Sequence, residues 1–235
     1  MMRKNAWIAF DESADDVRRL LEIHATLGGD ARGRRHRLEV LNKSAIVLIT
    51  AIWEAYCEDI ATDALSHIVT NSDDASSLPK ELKKRIAKDI KADLNELAMW
   101  GLADGGWRAK LESNLNALAS ERNWRLNTPK SQNVDKFFAA AIGLTKLPDS
   151  WRWANVSADT ARKKLDKYVS LRGAIAHRGS ASVAVTRAQV QEYFEHVRRL
   201  ADKTGEEVNS FVKNVTSKSI ALFPGQVKKE GLLHV

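Results

Sequence analysis

The sequence is poor in the residues that interrupt regular structure. Of 235 residues, only 12 are glycine and 4 are proline. Strand-and-turn folds need frequent glycine and proline punctuation, so long helices are expected instead. A single cysteine, Cys57, excludes an internal disulfide and fits a reducing compartment. It lies in an apolar run with no nucleophile signature around it and is read as a small packing residue. The six histidines are scattered. They form no H-E-x-x-H or clustered Cys/His pattern, so neither a metal nor any other cofactor is expected. There is no G-x-S-x-G elbow for a serine nucleophile. Gly101-Leu-Ala-Asp-Gly-Gly lacks the Lys-Ser/Thr ending of a phosphate loop. Long hydrophobic runs are also missing. The longest covers residues 45–53 and is broken by Thr50, well short of the ~20 residues that span a bilayer. Arg3 and Lys4 are followed by Asp11, Glu12, Asp15 and Asp16 rather than by the apolar core of a secretion signal. A cytoplasmic protein with no membrane partner is expected.

What is present is an ordinary globular balance, 44% hydrophobic and 29% charged, with a net charge of +7. Such a charge permits a polyanionic partner without establishing one. Residues 11–27 read as a first helix, with Val17, Leu20, Leu21, His24 and Leu27 on one stripe. Here His24 reads as a core histidine. Arg32, Arg34, Arg35, His36 and Arg37 follow, either as a solvated loop or as a phosphate contact. Residues 38–70 form the longest helix. It is apolar on nearly every side through Ser44–Trp53, which marks it as the centre of a helical bundle. Residues 80–100 read as an amphipathic helix, with Leu82, Ile86, Ile90, Leu94 and Leu97 inside and Lys83, Lys84, Lys88 and Lys91 outside. Trp107, Leu111, Leu115 and Leu118 mark a short helix. Asn133 is placed to cap another that runs to residue 144. Ser157 caps the next, with Asp159 near its N-terminal dipole. Thr186 opens a last long helix whose stripe is Val190, Tyr193, Phe194, Val197, Leu200, Val208 and Phe211. Period-two alternation is limited to Val183-Ala-Val185. The fold class is therefore all-α, a helical bundle of about six to seven helices. One domain is expected over residues 1–216, followed by a loosely docked tail at 217–235 containing Pro224-Gly225 and Lys228-Lys229.

One helix carries an unusual pattern. Leu165, Tyr168, Val169, Ile175 and Ala176 define an apolar arc, and Arg172 falls near its middle. A guanidinium there is costly unless paired or placed at an interface. His177 follows five residues later, ~140° round the helix and ~7.5 Å along it. Arg172 and His177 of one copy need not share a face. Two copies crossing about a two-fold axis could bring both pairs into a shared cleft. Glu54, on a flank of the central helix shared with Val47, Ala61 and Leu65, is a carboxylate in want of a cation. Arg172 is one candidate, either orienting the arginine for chemistry or as a purely structural ion pair.

Leu171-Arg-Gly-Ala-Ile-Ala-His-Arg-Gly179 resembles the R-x-x-x-x-H element of the HEPN superfamily, and in particular of the RiboL-PSP-HEPN and related bacterial branches. A second match to the bare element, Arg19–His24, lacks the surrounding context. That context includes Ala51-Ile-Trp-Glu-Ala-Tyr56, similar to the branch's buried W-E-x-Y helix. Gln132-Asn-Val-Asp-Lys-Phe137, leading into Ile142-Gly-Leu144, is similar to its short middle helix. Trp151-Arg-Trp153 is similar to the loop before the motif helix. Together these cover roughly residues 40–200 in the expected order. The resemblance implies a HEPN-like bundle and a metal-independent endoribonuclease acting through RNA 2′-hydroxyl attack, with toxin–antitoxin or phage-defence roles in prospect. Arg172 and His177 would be catalytic, with Glu54 and Arg178 in support. Arg152, Trp151, Trp153, Lys84 and Lys88 are candidates for contacting RNA. The implied partners are RNA, a second copy of the chain, and an antitoxin or regulatory protein. The family usually places a polar residue after the arginine, where this chain has Gly173. Two other readings therefore stand beside the nuclease: an inactive dimeric interaction module, and a plain RNA-binding protein using the lysine face.

Overall fold

The structure is a computed structural model that describes residues 5–28, 38–120, 126–178 and 184–220; for residues 28, 115–120, 177 and 178 it describes the backbone alone. Among the described residues there are seven α-helices and no strand. They are α1 (Ala6–Gly28), α2 (Glu39–Asn71), α3 (Lys80–Ala92), α4 (Gly106–Ser120), α5 (Ser131–Ile142), α6 (Ala158–Arg178) and α7 (Arg187–Thr216). Short 3₁₀ segments at Ala98–Gly105 and Leu147–Ser150 connect them.

The apolar girdle of α2 dictates the architecture. Ala45, Ile46, Ile49, Trp53, Cys57, Ile60, Ala64, Leu65 and Ile68 are all buried, which requires neighbours on several sides. Helices α1, α4, α5, α6 and α7 all pack against it. By length and composition α2 could cross a membrane, but here it is the core of the bundle. Burial of the aromatic side chains is matched by satisfaction of their polar tips. Trp53 Nε1 donates to Pro129 O (3.2 Å), Tyr56 Oη to Ala201 O (2.8 Å) and Trp151 Nε1 to Thr204 Oγ1 (3.0 Å). The Trp53 ring lies 6.1 Å from Tyr56 and 5.8 Å from Trp151.

Caps that the local sequence signals are made. Ser157 Oγ accepts from Thr160 N (3.2 Å). Thr186 and Gln189 form a reciprocal capping box at the start of α7. Other expectations need correction. Helix α1 begins at Ala6, not residue 11, because Ala6, Phe10, Ala14 and Val17 form a buried stripe. That shift leaves His24 only half-buried, rather than in the core, and Leu27 exposed. Helix α3 stops at Ala92 rather than continuing to residue 100, so Leu94 and Leu97 are exposed instead of buried. The side chains of Asp93 and Asn95 capture the backbone N–H groups of Asn95 and Leu97, both at 3.0 Å. These local bonds compete with helix propagation. Helix α5 begins at Ser131, and Asn133 is not its cap; Asn133 Nδ2 donates to Thr128 O (2.9 Å). Instead, Asp166 of α6 accepts from Ser131 N (2.7 Å) and Ser131 Oγ (2.9 Å). Beyond α7, Ile220 is buried and its N–H donates to Asn209 Oδ1 (3.0 Å). Residues 221–235 and the cluster Arg32, Arg34, Arg35, His36 and Arg37 lie outside the described residues.

His196 of α7 is buried, with its ring 5.5 Å from Trp153 and Nε2 donating to Ala161 O (3.1 Å). Burial pulls its pKa down to about 4. Between the ordinary histidine range and pH 4 the unfolded chain takes up a proton that the fold refuses, so stability falls with falling pH in that window. His196→Gln, measured by urea unfolding at pH 7 and pH 4.5, is expected to lose less stability on acidification than the wild type. Equal losses would contradict the assignment.

Candidate active site

The site begins with a short irregular segment, residues 126–130, laid between α2 and α6. Two of its backbone polar groups are taken up by side chains of α2. Leu126 N donates to Glu58 Oε1 (2.7 Å), and Trp53 Nε1 donates to the Pro129 carbonyl. Just beyond, the Asp166 bonds to Ser131 fix the far end of the segment to α6. Buried Leu126 and Pro129 seal it onto the bundle.

Arg172 reaches this seam from α6. Its Nη2 donates to Asn127 O (3.2 Å) and lies 3.4 Å from Glu54 Oε2. The second distance is long for a charge-assisted hydrogen bond, so attraction through space dominates the pairing. Both side chains are about three-quarters buried, 24% and 25% exposed. The position of Glu54 follows from its flank of α2, where Ala61 and Leu65 are buried while Val47 is exposed. Burial pushes the Glu54 carboxyl up to about 6; the charge of Arg172 opposes that rise and Glu58, one turn on, adds to it. Among the described residues, Nη1 and Nε of Arg172 have no hydrogen-bond partner, so the guanidinium keeps donors for a ligand.

Two tyrosines back the arginine. The Tyr168 and Tyr193 rings stack at 4.2 Å, Tyr193 Oη pairs with Thr50 Oγ1 (3.0 Å) and Tyr168 Oη donates to Glu192 Oε2 (3.1 Å). Burial raises the Tyr193 hydroxyl, against the opposing effects of Thr50 and Arg172. Next to Arg172, a Cβ built on Gly173 would meet nothing within 4 Å. A side chain at position 173 would therefore meet no neighbour at its Cβ. His177 and Arg178 are the last two residues of α6; their side chains lie outside the described residues.

The structure brings Arg172 and Glu54 together and disperses the expected RNA contacts. Trp151 is fully buried and cannot stack on a base, which corrects that expectation. Trp153 is half-buried against His196. Arg152 is exposed but folds back, its Nε and Nη2 donating to Asp149 O at 3.1 and 2.9 Å. Lys84 is exposed and paired with Glu81 (2.9 Å), and Lys88 is exposed. Reasoning from residue types missed Glu58, which its i+4 spacing from Glu54 could have flagged. It also missed the Asn127 carbonyl, which no residue type signals. Among the described residues, no group of three or more His, Cys, Asp and Glu side chains could hold a metal ion.

A sequence profile of the RiboL-PSP-HEPN family matches residues 11–210. The chain belongs to the RiboL-PSP-HEPN family. Nothing among curated proteins or solved structures matches it significantly. The matched span of this HEPN chain covers both sides of the seam, from α1 through most of α7.

A carboxyl whose folded pKa is about 6, above the ordinary 4.5, favours the fold while it is protonated. That contribution is complete below the unfolded pKa and is lost as pH rises through about 6. The stability of the wild type relative to Glu54→Gln is therefore expected to worsen between pH 4.5 and pH 7.5 in urea titrations. A flat difference would show that Glu54 titrates normally.

Proposed function

We propose that the chain is a metal-independent endoribonuclease in which Arg172 and His177 act on RNA at a cleft shared by two copies. The observation that carries this reading is the largely buried guanidinium of Arg172, pinned by Glu54 and Asn127 through Nη2 while Nη1 and Nε stay unengaged among the described residues and about a quarter of the side chain is still exposed. Arginine stays charged at any physiological pH and suits the excess negative charge of a phosphorane. Histidine titrates near neutrality and can move the protons. The RNA 2′-oxygen gives its proton to one imidazole and bonds to phosphorus. The 5′-oxygen leaves with a proton from the other. The products are a 2′,3′-cyclic phosphate and a 5′-hydroxyl, with Glu54 and Arg178 in support.

A second copy fits α2. Its outward stripe carries Val40, Val47, Ala51 and Ala55, all exposed and apolar, alongside Glu54. Pairing through that stripe would bring two motif helices near one axis. The domain would span residues 1–216 and work in the cytoplasm as a toxin or defence effector restrained by an antitoxin or regulatory protein. Gly173 favours a second reading. Without a polar group there, the same dimer would serve as a non-catalytic interaction module.

The test is incubation of purified protein with RNA in EDTA. Cleavage is expected from the wild type, with a loss of roughly 100-fold or more in Arg172→Ala and in His177→Ala. Mixing the two variants is expected to restore a small part of the activity, because a mixed dimer regains one guanidinium beside one imidazole, which serves one of the two proton transfers while water serves the other. Binding without cleavage by the wild type would favour the module.

A further inference from the structure

The edge of the molecule formed by α3 and the 3₁₀ segment after it is charged and apolar in adjoining strips. On α3, Lys80, Lys83, Lys84, Lys88 and Lys91 are all exposed, while Leu82 and Ile86 are buried. At ~100° per residue these lysines share an arc of about 140°, with Ala87 the one other residue inside it. Glu81 and Asp89 fall outside that arc. Lys83 Nζ donates to Ser76 O (3.0 Å) and Lys84 pairs with Glu81. Among the described residues, Lys80, Lys88 and Lys91 make no ion pair. Directly after the helix, Leu94 is 100%, Leu97 67%, Met99 61% and Trp100 72% exposed. The segment is not slack. Asp93 and Asn95 hold its turn, and Trp100 N donates to Leu97 O (3.0 Å).

We propose that this edge is a binding site for single-stranded RNA, with phosphates along the lysine arc and a base stacked on Trp100. A row of cations without an intervening acid matches the regular negative charge of a nucleic-acid strand. An exposed indole beside it supplies the stacking surface that sequence-tolerant RNA binding uses. The placement of charge argues against an anionic membrane. Asp93, Glu96 and Asp104 interleave the apolar side chains that would have to enter the headgroup layer, where carboxylates are repelled. Against RNA, the same carboxylates face bases, which are neutral and carry amine donors. The site does not include Arg172, whose partners are Glu54 and Asn127. Arg108, at the start of α4, donates to the carbonyls of Ser72 and Asp73 and so ties α4, and the 3₁₀ segment before it, to the C-terminal end of α2. Glu54 to Ser72 is about 27 Å of helix, or roughly eight stacked nucleotides at 3.4 Å each. The site would thus select strands long enough to reach both places. It rests on the reading of RNA as the ligand, but not on cleavage.

The test uses the full chain with Arg172→Ala, to suppress cleavage, and a fluorescein-labelled single-stranded 20-nucleotide RNA in EDTA. Adding Lys84→Glu with Lys88→Glu is expected to weaken binding roughly tenfold or more. The slope of log affinity on log salt should become shallower by about 1.4. Adding Trp100→Ala is expected to weaken binding about fivefold or more. These side chains are exposed, and unchanged melting curves would confirm folding. Affinities equal to the parent in both variants would overturn the proposal, as would binding to phosphatidylglycerol vesicles in place of RNA. The two readings fail separately. Wild-type cleavage of a six-nucleotide RNA unaffected by the lysine and tryptophan changes, with no change in 20-nucleotide binding, would remove this site and leave the nuclease. Strand binding that depends on these residues, with no cleavage by the wild type, would leave the site and remove the nuclease.

Discussion

A guanidinium three-quarters withdrawn from water constrains the centre of this molecule. Arg172 emerges from an otherwise apolar face of α6, and its charge has to be answered by groups that other elements deliver. Glu54 comes from α2 and the Asn127 carbonyl from the segment before α5. That segment is itself held by Glu58, Trp53 and Asp166. Exposed ion pairs contribute about 0–1 kcal/mol, whereas breaking a buried pair costs about 3–5 kcal/mol. The pair here lies between those limits. It leaves the arginine fixed in place yet open to competition from a stronger anion. A phosphate arriving at the free side of the guanidinium would be such a competitor.

The same pair links scaffold to chemistry. Glu54 is one residue from Trp53, whose ring anchors the core and whose indole N–H holds Pro129. The base of the site is thus built from the central helix of the bundle, while its solvent side borders the exposed stripe of α2. Rigid packing beneath and solvent above is the arrangement that positions a charge without filling its ligand's place.

Legibility in the sequence followed the range of the interactions. Helix α2 could be read because being apolar on all sides is a local pattern. Thr186 could be read as the opening of α7 from local sequence alone, and its box partner Gln189 lies only three residues on. The Arg172–Glu54 pairing was visible as a question, a charge on an apolar arc and a carboxylate on an apolar flank, and the structure supplies their proximity. What depended on distant or backbone groups was hidden. Asp166 caps α5 from 35 residues away, which no local motif announces. Leu94 and Leu97 kept helical spacing with Leu82 and Ile86, but the side chains of Asp93 and Asn95 redirected the chain before that spacing could be used. Trp151 looked like a loop residue beside an arginine, although Thr204 of α7 waits for its indole N–H in the core.

The central claim is that Arg172 is shared between Glu54 and an incoming phosphate. It is tested most directly by following the Glu54 carboxyl carbon through a pH titration by NMR, with and without a 2′-O-methyl RNA that cannot be cleaved. The predicted result is a midpoint near 6 in the free protein that moves upward when the RNA is bound and moves upward again in Arg172→Ala, where the compensating charge is gone. A midpoint indifferent both to the RNA and to the loss of Arg172 would contradict it.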